Sequence, residues 1–123
     1  MQLIAIALGG AAGALLRYGV SLGVAALLGR GFPYGTLIVN VLGCLAMGIL
    51  YVLLLERMAM AAEWRAALLV GLLGAFTTFS TFSMETLVLF ESGEPLRAFI
   101  NVAASVVLCL AATWVGVLLG RSV

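Results

Sequence analysis

The stretch that decides the fold is Gly71-Leu72-Leu73-Gly74-Ala75-Phe76-Thr77-Thr78-Phe79-Ser80-Thr81-Phe82-Ser83. Helices in lipid do not ordinarily concentrate glycine, β-branched and hydroxyl residues in this way. Ser and Thr compete for nearby backbone groups, and glycine weakens the helix further. The run therefore predicts a local break in an otherwise helical segment. A break at mid-membrane frees carbonyls and amides, which is tolerated only where they line a cavity or bind an ion.

The run lies inside an apolar block from Trp64 to Phe90, and three similar blocks surround it: about Leu3 to Leu28, Tyr34 to Glu56 and Leu96 to Gly120. Each has the length of a membrane span, which needs about 20 apolar residues. The separators are Gly29-Arg30-Gly31-Phe32-Pro33, Glu56 through Glu63, and Glu91-Ser92-Gly93-Glu94-Pro95, with the charges, Gly and Pro expected at a water interface. No separator is long enough for a second domain. The expectation is one all-α integral membrane domain over 1-123 with four transmembrane helices, at about 3-28, 34-56, 64-90 and 96-120, the third broken near mid-membrane.

Composition agrees. Of the 123 residues, 65% are hydrophobic and only 9% charged, where a soluble domain has about a quarter charged. Net charge is +1 with no Lys, His or Asp, so nucleic-acid capture is excluded, and enzyme chemistry has no clustered nucleophile and base. The first block lacks a basic leading region and carries Arg17 in its interior, so it reads as a retained span and not a signal peptide. Cys44 and Cys109 each sit in an apolar block and read as small packing residues rather than a disulfide or metal pair.

Four spans put both termini on one side, with Arg57, Arg65 and Arg121, and leave Arg30 and Arg97 opposite. Three against two barely sets an orientation. Insertion both ways up would permit an antiparallel homodimer, and four helices alone leave little room for a lined aqueous path. Gly9 with Gly13, Gly19 with Gly23, and Gly116 with Gly120 have the spacing that lets helices approach closely in lipid.

Polar residues inside the spans mark candidate function. Thr36, Asn40, Gly43 and Met47 share a face of the second span, and Asn101, Ser105, Cys109 and Ala112 share one of the fourth. Beyond the break, Phe79 and Phe82 fall near one face with Ser83 and Thr86, and Thr78, Thr81 and Glu85 near another. Without Lys or His, a path could hold an anion by full charge only through Arg17. Milder donors would otherwise serve: the Asn40 amide, Ser and Thr hydroxyls, and the positive edges of Phe rings. Weak, multi-site binding is what conduction requires. Arg17 and Glu85 are the embedded ions, read as a functional vestibule, or else as a plain ion pair or a snorkelling Arg.

The chain resembles the small bacterial fluoride channels, the Fluc or CrcB family. The likeness rests on Gly10-Ala11-Ala12-Gly13-Ala14-Leu15-Leu16-Arg17-Tyr18, on Gly35-Thr36-Leu37-Ile38-Val39-Asn40-Val41-Leu42-Gly43, and on Gly71 through Thr77-Thr78-Phe79-Ser80-Thr81-Phe82. It implies an antiparallel dual-topology dimer in the bacterial inner membrane, with two passive fluoride pathways lined by both subunits. Phe79 and Phe82 would be the pore phenylalanines and Asn40 the pore amide, with Ser80, Thr81 and Ser105 as further polar lining. It also implies a structural sodium held by carbonyls mapping onto Gly74 and Thr77. The other readings are a proton-coupled drug exporter, which needs an acid in the first span where none exists, and a regulatory membrane subunit without a pore.

Overall fold

The computed structural model describes residues 1–123 and is helical throughout. Helix α1 is Gln2–Leu28. Helix α2 is Tyr34–Arg57, with its last turns, Val52–Arg57, widened to π-helix. The third apolar stretch, Ala62–Glu91, contains two helices. We number them α3, residues 62–76 with Ala66–Leu73 π-helical, and α4, Phe79–Glu91. Helix α5 is Pro95–Ser122. The stretches 2–28, 34–57, 62–91 and 95–122 are each long and apolar enough to cross a membrane, and the chain is a multi-pass membrane protein.

Between α3 and α4 the backbone leaves the helix. Thr77 (φ −79°, ψ 157°) and Thr78 (φ −150°, ψ 121°) are extended. Local chemistry fixes the restart: the Thr78 hydroxyl accepts from the Thr81 amide at 3.1 Å, an N-cap for α4. Elsewhere the turns follow their residues. Gly29 (φ 78°) and Gly93 (φ 76°) take the left-handed conformation after α1 and after α4, and Pro95 opens α5, where its missing N–H costs nothing.

Glycine lets the helices meet backbone to backbone. A Cβ on Gly9 would strike the Ala67 carbonyl, one on Gly13 the Leu72 carbonyl, and one on Gly71 would sit 2.6 Å from the Ile6 oxygen, so α1 lies directly on the π-helical part of α3. Gly48 meets Thr113 and Val117, and Gly116 meets Leu45 and Gly48, so α2 and α5 run parallel. Gly120 extends this contact to Ile49 and Val52. Two of the three expected glycine pairs thus mark contacts within the chain, whereas Gly19 and Gly23 meet nothing within 4 Å.

Gly116→Val should overpack a site whose neighbour is backbone and cannot rotate away, a cost of about 1–3 kcal/mol. The expected result is a lower yield of monodisperse protein on gel filtration and a lower melting temperature in detergent. Gly23→Ala should change neither; equal behaviour of the two variants would refute the assignment of close contact.

Candidate functional site

The break is held by one side chain. Asn40 on α2 donates from Nδ2 to the Thr78 carbonyl (2.9 Å), and its Oδ1 accepts from the Thr78 amide (2.8 Å). A single amide thus satisfies both polar groups of the extended residue, as a neighbouring strand would. The absence of a side chain at Gly43, one turn on, admits Thr77: a Cβ there would overlap the Thr77 methyl. Thr77 in turn bonds back to the Leu73 carbonyl through Oγ1 (3.0 Å).

Asn40, Gly43, Cys44, Met47, Thr77, Thr78, Phe79, Phe82, Ser105 and Cys109 line one cavity of about 410 Å³ between α2, α4 and α5. The Phe79 and Phe82 rings face it 5.4 Å apart, tilted by 53°. Phe82 is buried, and Phe79 is 79% exposed on the open side. The buried Ser105 hydroxyl makes no hydrogen bond.

A second cavity, of about 450 Å³, lies nearer the 29–33 turn and is lined by residues including Tyr18, Ser21, Arg30, Thr36, Thr81 and Glu85. There the Thr36 hydroxyl donates to Glu85 Oε1 (2.6 Å), and Oε2 is buried without a partner. The face expected on α2 therefore runs through both cavities, Thr36 in one and Asn40, Gly43 and Met47 in the other.

The candidate residues divide accordingly. Asn40, Phe79, Phe82 and Ser105 come together. Thr81 lines the Glu85 cavity instead, and Ser80 lines neither, its hydroxyl 3.4 Å from that of Thr78. Thr78, expected on the Glu85 face, belongs to the phenylalanine cavity because its backbone is extended and not helical.

Arg17 and Glu85 do not pair within the chain: Arg17 Nη1 donates to the Thr77 carbonyl at 3.5 Å, and Glu85 is taken by Thr36. Asn101 stays on the α5 face of Ser105 but does not line this cavity; it is buried, donating to the Thr86 hydroxyl at 2.9 Å. Sequence reasoning gave Thr78 no lining role; its place beside Asn40 follows only from a pairing 38 residues apart in the chain.

The model of the family described as CrcB-like protein, Camphor Resistance (CrcB), matches residues 4–117. The chain belongs to this family. It is 63% identical over 121 residues to a protein of Methylococcus capsulatus, covering 98% of this chain and 53% of that relative. The chain thus spans about half the length of that relative. Relatives from Coxiella burnetii (51% identical over 122 residues) and Magnetococcus marinus (50% over 121) are matched over 98% of both chains. All three relatives are named fluoride-specific ion channel FluC.

Proposed function

We propose that this CrcB-family chain is a fluoride-selective channel, not an enzyme, that lets fluoride leave the cell passively and so lowers its cytoplasmic level. The names of its relatives support the substrate and weigh against a drug exporter or a pore-less subunit. The observation that carries the reading is the cavity where Phe79 and Phe82 meet an unpartnered Ser105 hydroxyl and the Asn40–Thr78 pair.

Fluoride is small and strongly hydrated, and stripping its water without substitutes would be prohibitive in lipid. Ring edges, a free hydroxyl and the second Asn40 N–H replace that water in small steps. No Lys or His is present to trap the ion. Thr81, Glu85 and Arg30 line the neighbouring cavity, which in this reading would serve as a vestibule. Ser80 is exposed beside the path.

The working unit in this reading is an antiparallel dual-topology homodimer in the bacterial inner membrane, each chain a single four-helix domain, with two pores. The open side of the phenylalanine cavity and the exposed Phe79 leave a surface for a second copy to complete. The most apolar window of α1 is only 6% buried within the chain, which leaves surface for lipid and partner alike.

A structural sodium fits the donors at the break. Thr78 gives to Asn40 the amide that a continuous helix would aim at the Gly74 carbonyl, and carbonyl oxygens suit a hard cation. Gly74 and Thr77 would hold it, with matching oxygens from the second copy, and the Arg17 contact to the Thr77 carbonyl would have to coexist with it. The ion would supply fixed positive charge at the junction.

Purified protein in liposomes should release fluoride and retain chloride; absence of fluoride efflux from well-folded protein would overturn the reading. For topology, a cysteine introduced at Ser92 should be labelled by impermeant reagents from both sides of the membrane. Labelling from one side alone would rule out dual insertion.

A further inference from the structure

Neither the packing reading of the two cysteines nor the channel reading accounts for where their thiols lie. Parallel α2 and α5 touch where Gly48 meets Thr113, and Cys44 and Cys109 each stand one turn before that contact on their own helix. They line the same cavity. Met47, one turn from Cys44, brings a thioether to the same wall. Both cysteines are free and partly accessible.

We infer that Cys44 and Cys109 form a binding site for a soft d10 cation, held linearly between two thiolates with the Met47 thioether beside it. Thiolate and thioether sulfur select soft ions over hard ones. No cluster of three or more His, Cys, Asp or Glu exists anywhere in the chain, so a tetrahedral ion such as zinc, which takes four ligands in structural sites, lacks its donors here. Charge chooses among the soft ions. Two thiolates with a monovalent ion leave a net negative charge in an apolar wall, whereas a divalent ion gives a neutral complex. Mercury(II) is therefore the fitting probe. With mercury(II) chloride, two S–H and two Hg–Cl bonds give way to two S–Hg bonds, releasing two protons and two chloride ions to water, with no change of oxidation state.

The test is mercury(II) chloride added to the purified full chain in detergent, followed by gel filtration, metal analysis and a dye readout of released protons. The expected result is one mercury and two protons per chain, with zinc not retained. Cys44→Ser and Cys109→Ser should each weaken retention against a competing small thiol by at least roughly 10–100-fold, the loss that changes around a metal site already produce without removing a ligand. Two mercury ions per chain, none, undiminished retention in either variant, or cysteine-dependent retention of zinc would each overturn the site. Efflux separates this inference from the channel reading. Mercury should block fluoride release by the wild type and spare the double serine variant, each measured against its own mercury-free rate. Stoichiometric binding with undiminished efflux would leave the two-thiol site standing and remove this cavity from the fluoride path.

Discussion

Phe79→Ile and Phe82→Ile should each cut fluoride efflux from liposomes by at least about tenfold. Isoleucine keeps an apolar side chain but has no ring, so the positively polarised ring edge is lost from the cavity wall. A hydrogen bond to a charged group is worth about 1.5–3 kcal/mol. If one ring edge supplies even the lower end of that range to a dehydrated ion, its loss raises the barrier by a full decade, since about 1.4 kcal/mol is tenfold in rate.

The two positions separate function from folding. Phe82 is buried, and its replacement also leaves space in the core; Phe79 is 79% exposed, so its replacement disturbs little packing within the chain. Gel filtration of Phe79→Ile should therefore match the wild type while its efflux falls. Normal conduction by both variants as folded protein would remove the ring pair from the path.

Asn40→Asp should abolish measurable efflux. The wild-type amide gives Nδ2–H to the Thr78 carbonyl and takes the Thr78 amide at Oδ1. Aspartate preserves the second bond and reverses the first, setting a carboxylate oxygen against a carbonyl oxygen. The unsatisfied carbonyl alone costs about 1–3 kcal/mol, and an ionised carboxylate would also repel an anion in the same cavity. Asn40→Leu separates these effects: it loses both bonds but adds no charge. If repulsion matters beyond the break itself, folded Asn40→Leu should retain more efflux than folded Asn40→Asp. Wild-type efflux from Asn40→Asp would show that neither the clamp nor the amide serves conduction.

Four spans were legible because each is a long apolar block bounded by charge, Gly or Pro, and lipid demands that such blocks be helical. The interruption was legible as well. Hydroxyls crowded at residues 77–83 compete for backbone, and Thr77 and Thr78 are the two residues that leave the helix. Local spacing set Thr81 beside Glu85, where it lies, but misled at Thr78. A helical wheel assumes one continuous helix, whereas two extended residues turn α4 out of register with α3. The Arg17–Glu85 pair failed for a different reason: each found a partner, Thr77 or Thr36, on an element that local sequence does not bring near.

The sequence by itself determined a four-span membrane protein of the CrcB family, the place of the break, and a polar set without Lys or His. These depend on composition, on local backbone competition and on residue chemistry, all carried by neighbours in the chain. Tertiary structure alone decided that Asn40 clamps Thr78, that Ser105 is left without a partner beside the two phenylalanines, and that Cys44 and Cys109 line one cavity. Each of these joins residues on different helices. Their meeting is set by how closely glycine lets those helices pack, which no single segment encodes.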